Sequence, residues 1–253
     1  KIIIKASKYY MNNKKKFINF INSLYNPYKK ELIIERESVT CDRRDAPFSH
    51  LTHQKLVRDY MNIYSPYRGI LLFHGLGSGK TCSSIAIAEG LKDSKKVVVM
   101  TPASLRPNYI KEIKKCGDEL YRKNNHWEFI NTNKNPDLVN ALSKTMTISK
   151  NFIKKHRGAF LVNIKKKPNY DTLTMDEKIL LDQQINEMIL HKYQFMSYNG
   201  MRLEHLKDYS VNFTRNPFDN KVVIIDEVHN FVSRIVNKLN KKESLSMRLY
   251  EYL

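Results

Sequence analysis

The amino-acid sequence predicts an α/β fold with a central parallel sheet. From residue 47 onward, short apolar segments alternate with segments of helical periodicity, which is the pattern of βαβ units. Two of the apolar segments are followed at once by a polar cluster, at the sheet edge where parallel sheets carry their sites. The length of 253 residues then indicates one large domain with a leading extension.

Local patterns justify each element in chain order. A helix is predicted at 51–62, a strand at 69–73 (GILLF), a helix after Gly79, a strand at 96–100 (KVVVM) and a helix at 105–115. Beyond them lie a short strand at 159–164 (AFLVNI), a helix at 174–192, strands at 193–198 and 221–226 (KVVIID), and a helix at 244–253. The four apolar residues at 222–225 are typical of a strand that is buried on both faces.

The leading segment, residues 1–47, is basic and aromatic, and it contains no acid before Glu31. Its lysines and aromatic residues include Lys1, Lys5, Lys8, Lys14, Lys15, Lys16, Tyr9, Tyr10, Phe17, Phe20 and Tyr25. A nucleic-acid arm is one interpretation, because cations neutralise phosphates and aromatic rings stack on bases. The favoured interpretation is an amphipathic helix, since Phe17, Phe20, Ile21 and Leu24 recur at helical spacing and would pack on the main domain.

A second basic segment lies inside the main domain, which is expected to cover 48–253 with a mainly helical insertion at about 117–220. No acid occurs between residues 150 and 167. The cations of this run are Lys150, Lys154, Lys155, Arg157, Lys165, Lys166 and Lys167. A solvated face and a nucleic-acid contact are both open interpretations.

The overall composition narrows the class of protein. Lysine and arginine number 44 against 25 acidic residues, so the formal net charge is +19 and nucleic acid is the first partner to consider. A hydrophobic content of 42% excludes a wholly disordered chain. The cysteines, Cys41, Cys82 and Cys116, form no CxxC pair, which predicts neither a disulfide framework nor a zinc site and indicates a reducing compartment.

The lengths of the apolar runs argue against a signal peptide and against a membrane-spanning segment. The N-terminal apolar run, Ile2–Ile4, is too short for a signal-peptide core, and no later run reaches the length of a membrane span. No membrane partner is therefore expected. Because the chain begins with Lys1 instead of Met and stops within a helical pattern, we expect it to be trimmed.

Residues 74–81 (HGLGSGKT) have the pattern of a phosphate-binding loop, between the predicted strand GILLF and a helical run. The candidate ligand residues are Gly75, Gly77, Ser78, Gly79, Lys80 and Thr81. The glycines let backbone amides surround a β-phosphate, Lys80 can reach the β- and γ-phosphates, and Thr81 would hold Mg²⁺. His74 stands where the strict pattern has glycine, at the strand end away from the phosphates. The alternative is an ordinary glycine-rich turn.

Asp226 and Glu227 follow the last predicted strand directly. At such a strand end, Asp226 would hold Mg²⁺, and Glu227 would orient and deprotonate an attacking water molecule. An acidic pair that merely caps the next helix is the alternative. The phosphate-binding pattern in the same chain favours the catalytic interpretation.

The GSGKT sequence and the downstream D-E-x-H sequence at 226–229 resemble the first RecA-like domain of superfamily 2 helicases and translocases, over most of 48–253. The resemblance implies a RecA-like P-loop NTPase domain that binds ATP and Mg²⁺ and hydrolyses ATP on nucleic acid. It also implies that Lys80 and Glu227 are catalytic, and that His229 couples the ATP site to the nucleic-acid face.

Three further segments extend this resemblance. The sequence LTHQ at 51–54 resembles the HQ element of Swi2/Snf2-like members, which implies that Gln54 recognises adenine; an ordinary surface glutamine is the alternative. The segments VVVMTPASLRPNYIKEI and YQFMSYNG resemble motifs Ia and Ib. These motifs imply nucleic-acid contacts by Thr101, Pro102, Arg106, Ser197 and Tyr198. For motif Ia, a strand-to-helix turn capped by Ser104 is the alternative.

The segments PYRGILLFHGLGSGKT and DNKVVIIDEVHNFVSRIVN resemble in particular the sequences of ATPases from large nucleocytoplasmic DNA viruses, such as poxvirus nucleoside triphosphatase I and the early transcription factor small subunit. This implies DNA in preference to RNA, viral RNA polymerase or transcription factor subunits as partners, and a location in the virion or in the virus factory of the host cytoplasm. No motif III and no second lobe follow Asp226 in the sequence, so we expect slow hydrolysis by this chain alone.

Two functions of other classes stay open. One is a P-loop ATPase of the genome-packaging type, which would lack the glutamine of the HQ element and the histidine at 229. The other is a non-catalytic subunit of a transcription complex that uses the fold to clamp DNA.

Overall fold

The computed structural model describes residues 11–37, 49–62, 65, 67–75, 77–92, 95–133, 135, 137–238, 240–241 and 243–253. They group into two compact units, one within residues 1–94 and the other within residues 95–253. Residues 1–10 and 38–47 of the predicted leading segment lie outside the described residues, as does residue 48, and Cys41 is one of them.

The first unit contains helices α1 (Met11–Glu37), α2 (Thr52–Tyr60) and α3 (Lys80–Leu91). Helix α1 packs on α2 through the apolar face that its periodicity predicts, with Phe17 and Ile21 buried. The Phe17 ring lies edge-on to Tyr60 at a centroid distance of 5.5 Å. The Tyr25 hydroxyl donates a hydrogen bond to the Leu56 carbonyl oxygen at 2.7 Å. The amphipathic helix therefore agrees with the favoured interpretation of the leading segment, although Phe20 is 47% exposed.

The predicted strand at 69–73 is wrong. These residues form no regular element, and the side chains of Leu71 and Phe73 are 72% and 93% exposed. No strand of the described residues pairs with this segment. An apolar run becomes a strand only when a neighbouring strand satisfies its backbone N–H and C=O groups, and apolar sequence alone does not supply that neighbour.

The second unit alternates strands and helices. In chain order these are β1 (Lys96–Met100), α4 (Arg106–Cys116), β2 (Trp127–Asn131), α5 (Asp137–Met146), α6 (Lys150–His156), β3 (Gly158–Val162), α7 (Met175–Lys192), β4 (Tyr193–Met196), α8 (Leu203–Tyr209), β5 (Lys221–Ile225), α9 (Val228–Val236) and α10 (Leu245–Tyr252). The helices and strands predicted after residue 95 are confirmed to within a few residues at their ends.

A parallel sheet lies at the centre of this unit, with strand order β4-β1-β5. In its register, Val98 of β1 lies between Gln194 of β4 and Val223 of β5. Strand β1 is buried from Val97 to Met100, whereas β5, at one edge of the sheet among the described residues, is half-buried along its length. The α/β class with a parallel sheet is confirmed. The expectation that 222–225 is buried on both faces is wrong, because an apolar run does not by itself supply the helices that must cover both faces of a strand.

A second, two-stranded sheet pairs β2 with β3 in antiparallel register, Phe129 opposite Phe160. The buried Gln184 side chain of α7 extends this pairing, since it accepts from the Phe160 N–H at 2.8 Å and donates to the Phe160 carbonyl oxygen at 2.7 Å. Within its described residues, the predicted insertion at 117–220 thus contains this small sheet and four α-helices. It also contains β4, which belongs to the central sheet.

Among the helices that the structure describes, none is both long enough and apolar enough to cross a membrane.

Candidate active site

The phosphate-binding loop lies in the first unit, directly before α3. Gly77 and Gly79 have left-handed backbone angles, φ 78° and φ 75°, which glycine adopts without the steric cost of a Cβ atom. Gly79 is the N-cap of α3, and it makes no side-chain cap hydrogen bond to the first turn of the helix. Free amides at a helix N-terminus, together with the helix dipole, attract anions such as phosphate.

Lys80 folds back over this loop. Its ammonium donates hydrogen bonds to the carbonyl oxygens of His74 and Gly75, both at 3.1 Å. The Lys80 side chain is exposed, so it can exchange these carbonyls for phosphate oxygens without desolvating a buried charge. The Ser78 hydroxyl also bonds to the Gly75 carbonyl oxygen, at 2.9 Å. The loop therefore closes on itself through contacts that a phosphate group can replace.

Helix α2 supports the loop through His53 and Gln54. The Gln54 amide donates to the Gly79 carbonyl oxygen at 3.3 Å and accepts from the Leu51 N–H at 3.0 Å. A His53 ring nitrogen lies 2.9 Å from the Ser78 carbonyl oxygen. Gln54 is 4% exposed, so it is no ordinary surface residue, and in this structure its amide holds the loop. Recognition of adenine by Gln54 stays a prediction.

His53 is a residue of this site that the sequence analysis did not single out. Its ring also meets the ring of His74 edge-on at 5.7 Å. The histidine at position 74, which departs from the strict loop pattern, therefore has a partner on α2. The signal was present in the sequence, because His53 is the first letter of the HQ element, but only the fold shows which backbone group it contacts.

The predicted metal ligand Asp226 lies in the second unit, at the carboxyl end of the parallel sheet. Its backbone N–H donates to the Met100 carbonyl oxygen at 2.9 Å, which continues the β1–β5 ladder by one residue. The Thr101 hydroxyl lies 3.4 Å from the Asp226 carboxylate, a long contact. Carboxylate oxygen is a donor that Mg²⁺ prefers, so the chemistry of Asp226 fits the predicted metal ligand.

Glu227 begins α9 in a left-handed conformation, φ 52°, that a residue with a Cβ atom rarely adopts. The Tyr198 hydroxyl donates to the carbonyl oxygens of Asp226 and Glu227, at 3.1 Å and 3.2 Å. Arg234 of α9 in turn donates to the Tyr198 carbonyl oxygen at 3.1 Å. A strained turn that neighbouring groups hold in this way is typical of functional sites.

The Tyr198 phenol is a stable donor in this position. Burial, followed by the charge of the Asp226 carboxylate, raises the pKa of Tyr198 above its usual value. The phenol therefore keeps its proton at neutral pH. The buried cluster around it includes Met100, Met196, Leu206, Phe231 and Leu249. The acidic turn thus rests on the apolar core of the second unit.

His229 lies beside Glu227 on the exposed side of the turn. Its Nδ1 atom is 3.4 Å from the Glu227 carboxylate, and the two side chains are 71% and 45% exposed. An exposed histidine in this position can approach a second molecule. Its predicted coupling role is compatible with that exposure and stays a prediction.

The predicted nucleic-acid residues differ in their access to solvent. Arg106 is exposed, and its guanidinium lies 5.2 Å above the Phe195 ring. Thr101 and Tyr198 are 1% and 2% exposed, and Pro102 is also buried. The Ser197 hydroxyl is buried without a hydrogen-bond partner among the described residues. Arg106 is therefore the one member of the predicted set whose side chain can reach a phosphate directly.

A protein-family model for the res subunit of type III restriction enzymes matches residues 53–250, which include both candidate sites. The chain belongs to this family. Membership of the res-subunit family makes it a helicase-like ATPase domain of superfamily 2. No solved structure matches the chain.

Viral proteins are among the relatives of this res-subunit domain. "Putative ATP-dependent RNA helicase R563" of Acanthamoeba polyphaga mimivirus is 28% identical over 220 residues, covering 86% of this chain and 30% of that protein. "Putative ATP-dependent RNA helicase L377" of the same virus is 29% identical over 188 residues, 70% of this chain and 15% of that protein. "Putative helicase 087L" of Invertebrate iridescent virus 3 is 36% identical over 81 residues, 26% of this chain and 8% of that protein. The chain therefore spans less than a third of the length of each of these relatives.

Proposed function

We propose that this chain is the ATP-binding lobe of a nucleic-acid-dependent ATPase, a helicase or translocase that serves viral transcription or genome handling. The loop before α3 carries the proposal, because Gly77, Gly79 and Lys80 present an anion site at a helix N-terminus. In this proposal residues 48–253 form the ATP-binding domain, 1–47 are a separate basic extension, and 117–220 are an insertion.

The first unit supplies the groups that bind phosphate. Backbone amides of the loop and the Lys80 ammonium would stabilise the negative charge of the β- and γ-phosphates. Gln54 and His53 hold the backbone of Ser78 and Gly79 in place, so the amides are oriented before the nucleotide arrives. We assign the adenine contact to Gln54, which would exchange a backbone partner for the base edge.

The second unit supplies the groups for hydrolysis. Asp226, with the Thr81 hydroxyl, is assigned to Mg²⁺, which when bound neutralises charge on the phosphates. Glu227 is the proposed base, and its half-exposed carboxylate can accept a proton from water. His229, next to Glu227, is proposed to couple the ATP site to the surface that binds nucleic acid.

Nucleic acid is the proposed stimulating ligand, and the net charge of +19 favours it. DNA is proposed in preference to RNA because of the resemblance to ATPases of DNA viruses. Viral RNA polymerase or transcription factor subunits are the proposed protein partners. The mimivirus relatives carry RNA helicase names, so both nucleic acids belong in any test. The D-E-x-H assignment and the likeness to poxvirus nucleoside triphosphatase I are part of this proposal, as is a location in the virion or virus factory.

Two features favour this proposal over the alternatives. A packaging-type ATPase would lack the HQ glutamine, whereas Gln54 is buried against the loop. A non-catalytic clamp would have no need of a base, whereas Glu227 is held in a strained conformation at the sheet edge.

The test compares Lys80→Ala with Lys111→Ala, which removes another exposed lysine, on α4. Titration with a fluorescent ATP analogue should show that Lys80→Ala weakens binding by about 10- to 100-fold, since a hydrogen bond to a charged group contributes about 1.5 to 3 kcal/mol. The control should bind like the parent protein. Hydrolysis is then measured with single-stranded DNA, duplex DNA and RNA. Equal ATP affinity in both variants, or no stimulation by any nucleic acid, would contradict the proposal.

A further inference from the structure

Helix α6 carries a surface of positive charge that none of the sites above uses. Lys150, Lys154 and Lys155 are exposed on one side of the helix, and Arg157 is exposed at its C-cap. The opposite side holds Ile153, which is fully buried. We call the four exposed cations the α6 basic face.

These four cations are not neutralised within the protein. None of their side chains makes a hydrogen bond or an ion pair with any residue that the structure describes. Other lysines of the second unit behave differently: Lys114 and Lys123 share the Asp182 carboxylate, and Lys166 pairs with Glu128. Full charge at the α6 basic face is therefore available to a partner.

The surroundings of α6 are poor in acid. The sequence contains no Asp or Glu from residue 138 to residue 170. Of the acids on neighbouring elements, Glu187 of α7 approaches α6, where it accepts the Ser149 N–H at 2.8 Å. That carboxylate lies before the first turn of the helix and is occupied there. Electrostatic repulsion of a polyanion at the face itself is thus small.

The helix is a rigid support for these charges. Ser149 caps it, since its hydroxyl accepts from the Phe152 N–H at 3.1 Å. After Arg157 the chain enters β3, which Gln184 holds through both backbone groups of Phe160. A backbone that is already ordered loses less conformational entropy on binding than a free loop does, and the face is therefore suited to a stable contact.

A second basic group, Lys165 and Lys167, follows the far end of β3 and is exposed. Because β3 is five residues long, about 13 Å of strand separates the two groups. A nucleic-acid strand repeats its charge about every 3.4 Å along the helix axis, so this span covers about four phosphates. Exposed cations spaced over such a length fit a polyanionic backbone better than a small anion.

We propose that the α6 basic face binds the phosphate backbone of nucleic acid, as a contact surface separate from the segments at 101–106 and 197–198. The proposal rests on the proposed nucleic-acid-dependent function. Because lysine contacts phosphates as a point charge, binding at this face is independent of base sequence. The face adds affinity and increases the salt dependence of binding.

The experiment compares two double variants in the protein. Lys150→Ala/Lys154→Ala removes two exposed cations of the α6 basic face, which are spaced by one helical turn. Lys111→Ala/Lys115→Ala is the matched control, because it removes the same charge at the same spacing from α4, where Glu112 lies between the two lysines. Binding of a fluorescently labelled mixed-sequence single strand is measured by anisotropy over a salt series, together with ATP-analogue affinity.

The face variant should bind the single strand more weakly than the parent does. Its slope of log affinity against log salt should be shallower by about 1.4, because each of the two lost phosphate contacts contributes about 0.7 to the slope. The control should keep the parent slope, and both variants should keep the ATP affinity. A face variant with the parent slope would overturn the proposal while leaving the proposed function intact. A parent protein that binds no nucleic acid would remove both. If the face variant lost binding to phosphatidylserine vesicles and kept the nucleic-acid binding of the parent, the face would be assigned to membranes and the proposal overturned.

Discussion

Replacing Tyr198 by Phe tests how the acidic turn is held. The substitution removes one hydroxyl group and keeps the aromatic ring against Phe231, whose centroid lies 5.7 Å away. The lost hydroxyl bridges the carbonyl oxygens of Asp226 and Glu227. Glu227 keeps a second contact, because its carbonyl also accepts the Asn230 N–H at 3.0 Å. The turn should therefore loosen without unfolding.

The magnitude follows from the groups involved. A buried hydrogen bond contributes about 0.5 to 1.5 kcal/mol, and leaving buried acceptors short of a donor adds to the loss. The left-handed conformation of Glu227 costs about 1 to 2 kcal/mol, which the surrounding contacts must offset. We expect the free energy of unfolding to fall by about 1 to 2 kcal/mol. For a chain of this size that lowers the unfolding temperature by about 2 to 8 °C.

The assay combines thermal unfolding with steady-state kinetics of the nucleic-acid-stimulated ATPase. If Glu227 is the base, a loosened turn misplaces it in the transition state, so kcat should fall while KM for ATP stays near the parent value. Tyr25→Phe is the matched control. It removes a tyrosine hydroxyl that donates to a backbone carbonyl oxygen, that of Leu56, in the first unit. It should lower the unfolding temperature similarly and leave kcat unchanged.

Two results would refute the reasoning. An unchanged unfolding temperature in Tyr198→Phe would show that the hydroxyl does not stabilise the turn. An equal loss of kcat in both variants would show that general destabilisation, and not the position of Glu227, limits turnover.

Three further predictions concern the loop, the base and the partly exposed carboxylate of Asp182, which pairs with two lysines. Gly79→Ala should abolish tight ATP-analogue binding and lower the unfolding temperature, because the added Cβ atom would clash with the side-chain amide nitrogen of Gln54 and because the backbone at residue 79 is left-handed, φ 75°. Gly200→Ala, where nothing lies within 4 Å of the added Cβ atom, should do neither. Glu227→Gln should keep Mg·ATP binding in the same titration and lose about 10² to 10⁴ in turnover, and parent-like turnover would exclude it as the base. Burial opposes ionisation of Asp182, but hydrogen bonds from two lysines outweigh it and lower its pKa below the ordinary 3.8. Its folded pKa is thus depressed, so its stabilisation is complete above pH 3.8 and is lost as pH falls through the folded pKa. Unfolding temperatures of the parent and Asp182→Asn should therefore differ at neutral pH and converge in acid; a constant difference would contradict this.

The amino-acid sequence determined most of the local elements. Helix α7 begins where Thr174 and Glu177 form a capping box, and that signal is entirely local. Strand β1 is a run of valines between charged and polar residues, and it was predicted at its observed bounds. The glycines of the phosphate loop indicated a turn of backbone amides around a phosphate, and in the structure Gly77 and Gly79 have left-handed backbone angles.

Pairing between distant segments was decided by the tertiary structure. The segments 69–73 and 96–100 are both short and apolar, yet only the second finds neighbouring strands among the described residues. Strand β2 was not predicted, and Trp127 is its one buried residue. Its partner β3 lies about thirty residues further along the chain, and neither strand is stable without the other.

The contacts that hold the candidate sites also depend on tertiary structure. Tyr198 was selected as a nucleic-acid residue because its segment resembles a motif, whereas the fold buries it and directs its hydroxyl at the backbone of residues 226 and 227. The sequence therefore determined which chemical groups are present: the loop glycines, Lys80 and the acidic pair. Only the tertiary structure decided which backbone atoms position them, because a hydrogen bond between residues far apart in the chain depends on packing that no local pattern records.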